Sequence, residues 1–347
     1  MHYKSMSTFF VAIALTCTTY AGSFKGELSA YPYKLTCEGY ENGNWDIFIM
    51  NADGSNLMNL TNTPDVHELY PQVSPNGKMI AFVSDKGTNR KKIRSVWIMD
   101  IDGKNRIKVA DYARQPFWKP DSKTLGYLPQ EYKKFSPKDF STKGMVFYNL
   151  ETKTKKMHPN AKKLAHLYNP GFSPNGKWIV ATVHAGMGFK HADIFIEADG
   201  DKIINTKVHG CRPSFSPDGK YLGWGATDHM IEVATINWSS GQPSLGPVVF
   251  KLIDKKNKIY HTEWAPNGQW LTFSRGQKGG GDRSKPGTCM TAREVVGVYA
   301  TGWNIFTVKI IKGGSIDLND ASKKDLYLKV TTKGASYKEP DWIHVKK

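Results

Sequence analysis

The chain has 347 residues, of which 39% are hydrophobic and 12% aromatic, so it can bury a large core and is too apolar for a disordered chain. Lysine and arginine outnumber aspartate and glutamate by 48 to 31, which gives a formal net charge of +17. A surplus of this size attracts anionic partners and speeds their encounter with the protein.

The first residues have the three-part layout of a secretory signal peptide. Lys4 precedes a short apolar run over residues 9–15, and small residues follow up to Ala21. We predict a signal peptide over residues 1–21, cleaved near Ala21, and a mature domain over 22–347 that is periplasmic or secreted. The apolar run is too short for a membrane span and no later stretch approaches the required length, so we expect a protein that does not span a membrane.

The predicted location outside the cytoplasm and the positive net charge together limit the classes of partner that we expect. The mature chain has a net charge of 47 − 31 = +16, because Lys4 is the only charged residue of the predicted signal peptide. Outside the cytoplasm we expect no nucleic acid. We expect a monomer that binds an anionic polysaccharide or a cell-envelope protein.

One turn then recurs along the chain. In "SPDG", Pro217 sets φ at the first corner of a type I turn, and Gly219 occupies the position that follows the two corners. Strand-like residues flank the turn on both sides, which indicates a β-hairpin. Near copies of this stretch are "YPQVSPNGKMIAF", "QPFWKPDSKTLGY", "NPGFSPNGKWIVA", "RPSFSPDGKYLGW" and "HTEWAPNGQWLTF".

A second strand pair follows several of these hairpins, as in "SVWIMDIDGKNRIKV", "ADIFIEADGDKI" and "WNIFTVKI". Each unit therefore has four strands. The five turns are separated by steps of 45, 54, 43 and 49 residues. Four short strands repeated at this period predict an all-β fold, a β-propeller of four-stranded antiparallel blades.

Two fragments at the ends of the chain complete a sixth blade. The segment "YKEPDWIHV" (337–345) has the sequence of a first strand with no hairpin after it, and residues 33–61 supply the missing strands. We therefore predict a six-bladed ring, closed by pairing of the C-terminal strand with the N-terminal blade segment. The predicted blades start near 71, 116, 170, 213 and 263, and the closing blade combines 337–345 with 33–61.

The repeat "YPQVSPNGKMIAFVSD…VWIMDIDG" and the opening "DIFIMNADGSNLMNLT" resemble the WD-type repeats of the TolB family of propellers. The resemblance covers nearly all of residues 31–345. It implies a six-bladed propeller but not a particular function. TolB itself carries an α/β domain before its propeller, and we expect only about ten residues between the signal peptide and the first strand here. The propeller of that family also binds a peptidoglycan-associated lipoprotein.

Histidines accumulate on one face of the predicted ring. The loops that enter each first strand and those that join strands two and three share a face, which we call the loop face; the "SPDG" and "DG" turns lie on the opposite turn face. Loops carry function more often than tight turns. Several histidines fall in loop-face segments, and imidazoles that converge there would bind a divalent transition metal. The candidate metal ligands are His209, His229 and His261, whose blades are consecutive; the alternative is that these side chains face solvent.

The same face is predicted to be basic. Long lysine- and arginine-rich loops cover 85–94, 131–144 and 275–293. They form either a cationic rim for an anionic polymer or solvated loops without a ligand. The candidate ligand-binding residues are Lys91, Lys92, Arg114, Arg212, Arg275 and Arg293.

Three cysteines follow the predicted signal peptide, so at least one is unpaired within the chain. Cys211 and Cys289 both map to the loop face and are candidates for a disulfide. The alternative for Cys211 is a zinc site with His209. Cys37 falls in a predicted strand and is expected to be a buried thiol.

These observations favour a TolB-like binding module whose loop face engages an anionic glycan or a cell-envelope protein. The alternative is a metal-assisted polysaccharide lyase, since propellers related to this repeat include oligogalacturonate lyases, which use metal-binding histidines. No catalytic residue is identified, because the chain has no nucleophile elbow and no HExxH motif. We therefore expect a protein without catalytic activity, with no cofactor unless a transition metal binds.

Overall fold

The computed structural model describes residues 23–88, 91–239, 241–276, 299, 301–331 and 336–343. The predicted signal peptide over 1–21 lies outside these residues. The described chain forms six small antiparallel sheets arranged around one axis, which confirms the all-β six-bladed propeller. No helix in this part of the chain is long and apolar enough to cross a membrane.

The strands follow the repeat closely. Blade 1 contains β1 (Lys34–Glu41), β2 (Asn44–Asn51), β3 (Met58–Asn59) and the C-terminal β25 (Ser336–Ile343). Blade 2 contains β4 (Val66–Val73), β5 (Met79–Lys86), β6 (Ile93–Asp100) and β7 (Ile107–Asp111), and blade 3 contains β8 (Ala113–Trp118), β9 (Thr124–Pro129), β10 (Val146–Asn149) and β11 (Lys155–Met157). Blade 4 contains β12 (Leu167–Phe172), β13 (Trp178–Gly186), β14 (Phe189–Glu197) and β15 (Ile203–Asn205).

Blade 5 contains β16 (Cys211–Phe215), β17 (Tyr221–Thr227), β18 (Met230–Asn237) and β19 (Ser244–Ile253), and blade 6 contains β20 (Lys258–Trp264), β21 (Trp270–Gly276), β22 (Asn304–Lys309) and β24 (Tyr327–Lys329). One further strand, β23 (Gly314–Asp317), leaves blade 6 and pairs in parallel with β19, so that blade 5 has five strands. A 3-10 helix over Ala321–Leu326 follows. The repeat pattern did not predict this fifth strand.

The two ends of the chain share blade 1. Strand β25 is antiparallel to β1, with Leu35 opposite Trp342, and Leu35 is in turn opposite Met50 of β2. Leu35, Met50 and Trp342 belong to one buried apolar cluster. The ring is therefore closed by hydrogen bonds between the first and last strands, as predicted.

A short helix, α1 (Phe24–Ala30), precedes the first strand. Ser23 caps its N-terminus by accepting a hydrogen bond from the Gly26 N–H at 3.3 Å. Phe24 is buried against Trp270 of blade 6 with 5.6 Å between ring centroids. The helix thus covers apolar surface of blade 6.

The core lies between neighbouring blades. The inner and middle strands bury most of their apolar residues, and the buried clusters join neighbouring sheets around the ring. Two tryptophans tie the inner strands together: the Trp118 indole N–H donates to the Gln72 carbonyl at 2.9 Å, and that of Trp264 donates to the Ser214 carbonyl at 3.0 Å. These bonds link the inner strand of blade 3 to that of blade 2 and the inner strand of blade 6 to that of blade 5.

Candidate functional site at the propeller axis

The innermost strand of every blade contains one residue with left-handed backbone conformation. These six residues have φ between 46° and 58° and none is a glycine. Such a conformation is unfavourable for L-residues and costs of order 1–3 kcal/mol each. We call this set the axial ring; its members are Tyr70, Gln115, Asn169, Arg212, His261 and Glu339.

Each left-handed residue coincides with an irregularity in strand pairing. In blade 5 the register between β16 and β17 shifts between Cys211 and Ser214, and the inner strands of the other five blades shift at the equivalent place. A bulge of this kind re-aims a side chain out of the sheet. Here it directs the axial ring towards the centre of the propeller, where its side chains meet.

An ionic network joins the axial ring across the channel. The Arg212 guanidinium donates to Glu339 at 2.7 Å and to Asp139 at 3.0 Å. The Tyr70 hydroxyl donates to the other Asp139 oxygen at 2.7 Å, and His261 Nε2 lies 3.0 Å from the Glu339 carboxylate. Burial lowers the pKa of Arg212, but the Glu339 and Asp139 charges outweigh it and hold that pKa above its usual value. Burial holds the pKa of His261 well below its usual value, so this imidazole is neutral at pH 7.

Asp139 reaches the axis because the loop between β9 and β10 crosses the loop face. Phe140 of this loop packs on His184 with 4.4 Å between ring centroids, and Phe135 lies over the Arg94 guanidinium at 5.3 Å. Arg114 donates to the Lys138 carbonyl. The loop is therefore held above the axial ring at Phe135, Lys138 and Phe140.

Exposed side chains of this β9–β10 loop are mostly cationic. Tyr132 is 64% exposed, and the lysines around it face solvent: Lys133, Lys134, Lys138 and Lys143. Within the part of the chain that the structure describes, none of these four lysines forms an ion pair. The loop predicted to form a basic rim is thus a basic cover over the axis.

Two of the predicted ligand-binding arginines are buried. Arg114 is 0% exposed and Arg212 is 4% exposed, and both are directed towards the Asp139 carboxylate. Burial, and then the charge of Arg94, lower the pKa of Arg114 to about 10. These arginines anchor the β9–β10 loop from below and do not lie on an outer rim.

The other predicted ligand-binding residues are spread around the loop face. Lys91 is exposed, whereas Lys92 is half-buried with its ammonium 4.3 Å above the Tyr299 ring. Arg275 donates to Asp254 at 2.5 Å. Arg293 lies outside the described residues. The basic surface that the structure describes is therefore centred on the β9–β10 loop and Lys91.

The three candidate metal ligands contact different partners. His209 Nδ1 lies 3.2 Å from the His191 carbonyl, and His229 Nδ1 lies 2.8 Å from the carbonyls of both Asp254 and Asn257. His261 lies in the axial ring. Among the described residues no group of three or more His, Cys, Asp or Glu side chains has the geometry to hold a metal ion.

Three other histidine contacts form a belt beside the β9–β10 loop. His184 Nδ1 and His191 Nδ1 are 3.2 Å apart, and the rings of His191 and His209 are 4.9 Å apart. His166 Nε2 lies 3.3 Å from Glu131. Burial, and then the neighbouring imidazoles His209 and His184, lower the pKa of His191. Loop-face histidines do come together, but as a packed edge of blades 3 to 5.

The cysteine predictions have separate outcomes. Cys37 is 0% exposed, which confirms a buried thiol, and burial raises the pKa of that thiol well above its usual value. The candidate disulfide partner Cys289 lies outside the described residues. Cys211 lies in the bulged inner strand of blade 5 next to Arg212.

Of the six axial-ring residues, only Arg212 and His261 were candidates from the sequence, and Asp139 was not. A signal for the ring was present: in five blades the left-handed residue precedes a proline, in the dipeptides Tyr-Pro, Gln-Pro, Asn-Pro, Arg-Pro and Glu-Pro. In blades 2 to 5 the dipeptide begins four residues before the first residue of the hairpin turn, and in blade 1 it lies in the last strand, β25. The sixth blade has His261-Thr262 at this position. Nothing in the sequence of the β9–β10 loop indicates that Asp139 reaches the axis.

The architecture and this polar axis define a class of protein, the small six-bladed β-propeller built from a repeated hairpin. No family model matches the chain. TolB from Acinetobacter baumannii matches the structure with a TM-score of 0.59 and 14% sequence identity, over 89% of this chain and 66% of that one. Hydrazine synthase from Kuenenia stuttgartiensis matches with a TM-score of 0.55 and 11% identity, over 92% of this chain and 48% of that one. The chain is a TolB-like six-bladed β-propeller in fold, as the sequence predicted.

A curated relative shares part of the sequence. The protein named "Uncharacterized peptidase YuxL" from Bacillus subtilis (strain 168) is 26% identical over 225 residues. The match covers 62% of this chain and 30% of that relative. The chain thus matches less than a third of the peptidase-named protein.

Proposed function

We propose that this propeller is a non-catalytic binding module outside the cytoplasm, and that its loop face binds an acidic partner, foremost a cell-envelope protein. The observation that supports this proposal is the β9–β10 loop. It presents Tyr132 and four exposed lysines, and it is anchored from below by Arg114, by Arg212 and by the half-buried rings of Phe135 and Phe140. A loop that is already ordered loses little conformational entropy when a partner binds.

An acidic partner fits the charge of the whole chain. The formal net charge of +17 raises the rate at which an anionic surface meets the protein, and the lysines of the loop then decide where it binds. An anionic glycan is negatively charged, like an acidic protein surface. It is a second candidate, favoured by exposed lysines that carry no ion pair within the described chain.

The test reverses the charge of the loop. The triple variant Lys133→Glu/Lys134→Glu/Lys138→Glu should abolish most binding to polygalacturonate, or to the protein captured by a photo-crosslinking residue placed at Tyr132 in cells. The matched control is Lys78→Glu/Lys177→Glu/Lys220→Glu, because these three exposed lysines follow the turn position on the opposite face. Equal loss in both triples, or binding that does not weaken between 50 mM and 500 mM salt, would contradict the proposal.

The two partner classes give different results. A discrete cross-linked protein that disappears with the loop variant supports an envelope protein. Salt-sensitive binding of polygalacturonate without such a product supports a glycan.

A metal-assisted lyase stays a prediction without support from the described residues. Such an enzyme needs imidazoles about 2.0–2.2 Å from one ion. His209, His229 and His261 bind different groups instead. An ultraviolet assay for unsaturated products on acidic polysaccharide, with and without added divalent metal, tests this alternative, and product formation would revive it.

A further inference from the structure

Below the axial ring, towards the turn face, the channel holds a cavity of about 210 Å³. This is far more than the ~10–15 Å³ that a single water requires. Its wall includes the residue two positions after each axial-ring residue, and we call these six the second layer: Gln72, Phe117, Gly171, Ser214, Glu263 and Asp341. Five of them are half-buried and only Phe117 is fully buried, so the layer borders open space.

One half of the second layer is acidic and polar. Going round the ring, Ser214, Glu263, Asp341 and Gln72 belong to consecutive blades. The Ser214 hydroxyl donates to Glu263 Oε1 at 3.1 Å, and the Val73 N–H donates to Asp341 at 2.5 Å. Opposite them, Gly171 has no side chain, and no atom lies within 4 Å of where its Cβ would be. The space therefore lies in front of the carboxyl groups.

The charges around the axis do not balance. Five carboxylates face three cations in the axial ring, the second layer and the residues bound to them: Glu38, Asp139, Glu263, Glu339 and Asp341 against Arg114, Arg212 and Lys338. Arg212 is paired with Glu339 and Asp139, and Lys338 with Glu38 at 2.7 Å. Within the described residues neither Glu263 nor Asp341 is paired with a cation. These two carboxyl groups are thus the unbalanced pair.

The protonation of this pair shows the same imbalance. Burial, and then the charge of Asp341, raise the pKa of Glu263 well above its usual value, and burial raises the pKa of Asp341 to about 7. The Glu263–Asp341 pair therefore retains a proton near neutral pH, at a place where a bound cation would balance the negative charge. A cation placed between the carboxyl groups would displace it.

An independent feature of the same cavity indicates a ligand. Gln115 of the axial ring lines the cavity and is 3% exposed. Its Oε1 accepts a hydrogen bond from the Asn169 N–H at 3.1 Å, but its Nε2 has no hydrogen-bond partner in the part of the chain that the structure describes. A buried amide donor without a partner is costly, and ligands commonly satisfy such groups. Gln115 belongs to blade 3 and lines the same cavity as Glu263 of blade 6 and Asp341 of blade 1.

We propose that the cavity binds a small organic cation, in which a protonated amine or guanidinium group lies between Glu263 and Asp341 and an acceptor atom reaches Gln115 Nε2. The ligand enters from the turn face, because the β9–β10 loop covers the other end of the channel. The proposal goes beyond the loop-face binding proposed above and does not depend on it. A guanidinium fits a carboxylate pair well, since its planar donors form several charge-assisted hydrogen bonds at once.

Calorimetric titration of the purified protein with L-arginine, agmatine and L-citrulline tests the site. Citrulline has nearly the shape of arginine without its positive charge. We expect arginine or agmatine to bind and citrulline not to bind. Affinity should increase from pH 5.5 to pH 8, as the carboxyl pair loses its proton. Failure of both cationic probes to bind would overturn the proposal, and so would equal binding of citrulline.

Two variants locate the binding. Glu263→Gln keeps Oε1 as acceptor for Ser214 and for its other donor, the Trp264 N–H at 3.3 Å, so it imitates the protonated acid and should fold normally. It should weaken binding of the cationic probe at least tenfold at pH 8 and remove most of the pH dependence. Asp341→Asn is the second variant, and Asp102→Asn, at an exposed turn, is the charge-matched control.

The results of these titrations distinguish an organic cation in the cavity from a metal ion and from a probe bound elsewhere. Unchanged affinity in both carboxyl variants would place the bound probe elsewhere and overturn the proposal. Binding of calcium ion alone, lost in Glu263→Gln while agmatine does not bind, would also overturn the organic cation. The loop-face lysine variant should bind agmatine like the wild type, so that failure of this site and failure of the loop-face proposal remain distinguishable.

Discussion

Six non-glycine residues with left-handed backbone surround the propeller axis, and several of their side chains form the ionic network of the candidate site. Backbone strain of this kind persists only where the surrounding structure over-determines it. Here the bulges are fixed by hydrogen bonds to the backbone: Glu38 accepts from the Tyr70 N–H at 2.7 Å and Thr182 from the Arg212 N–H at 2.9 Å. In both cases a side chain of one blade holds the strained residue of the next blade in place.

Arg212 provides the first prediction at this scale. It is 4% exposed and pairs with two carboxylates, so Arg212→Leu leaves Glu339 without its cation and leaves Asp139 with the more distant Arg114, at 3.7 Å. We expect a loss of about 3–5 kcal/mol in the free energy of unfolding, measured by urea denaturation. The double variant Arg212→Leu/Glu339→Gln should recover part of this loss. Lys104→Leu, which removes a surface ion pair to Asp102, is the control and should have no measurable effect.

Asp193 provides a prediction of pH dependence. It is 0% exposed; its Oδ1 accepts from the Thr182 hydroxyl at 2.7 Å and its Oδ2 has no hydrogen-bond partner in the described chain. Burial raises the pKa of Asp193 to about 7, although the Thr182 bond lowers it. The folded protein therefore holds a proton that the unfolded chain releases near pH 4. The resulting stabilisation is complete below pH 4 and is lost as the pH rises to about 7.

The variant Asp193→Asn keeps the shape of the protonated acid and cannot ionise. Relative to wild type, its free energy of unfolding should rise by up to about 1.4 kcal/mol per pH unit between pH 5 and 7. Urea denaturation at several pH values measures this. A constant difference between the two proteins across that range would show that Asp193 does not titrate as expected.

At the scale of elements, hairpins and loops differ in how far sequence determines them. Each hairpin follows from local chemistry: a proline and a glycine at fixed turn positions, flanked by β-branched and aromatic residues. Even the copy without glycine obeys the rule, because Ser122 adopts the left-handed φ of 56° that glycine has elsewhere. The position of the β9–β10 loop depends on residues far away in sequence, such as Tyr70 and Arg212, and no local pattern encodes that.

The β9–β10 loop should become mobile when its aromatic anchor is removed. Phe140 contacts His184 and His166, at 4.4 and 6.3 Å between ring centroids, so Phe140→Ala releases the loop from blade 4. We expect faster cleavage by a lysine-specific protease at Lys138 and Lys143, with little change in the melting temperature of the propeller. Tyr132→Ala is the control, because that ring belongs to the same loop and is 64% exposed. Equal cleavage of both variants would mean that Phe140 does not hold the loop.

At the scale of the molecule, the repeat and the ring closure could be predicted, whereas the contents of the channel could not. Residues 33–61 and residues 337–345 each match part of the four-strand repeat, and from this match the pairing of β25 with β1 could be predicted. The channel depends on which side chains six separate bulges bring to one axis, and Asp139 enters from a loop of variable length. The parallel strand β23 likewise pairs with a strand about 65 residues earlier, beyond the reach of a repeat pattern.

Ring closure makes a final prediction. Strand β25 supplies contacts to three other parts of the ring: Lys338 pairs with Glu38 in β1, Glu339 with Arg212 in blade 5, and Asp341 accepts from the Val73 N–H in blade 2. A chain that ends at residue 335 loses all three, so that Arg212 lacks Glu339 and the buried Glu38 lacks its cation Lys338. We expect it to lose its cooperative unfolding transition or to melt at least 10 °C lower, and to bind a hydrophobic dye.

Two further chains show whether closure is the cause. A chain that ends at residue 343 retains all of β25 and should melt like the full-length protein. The substitution Trp342→Ala keeps the strand but removes its buried indole, which is 3% exposed and packs against Tyr33 and Trp270, so it should cost about 3–5 kcal/mol. If the chain ending at 335 unfolded with the same midpoint and the same cooperativity as the full-length protein, the last strand would not be closing the ring.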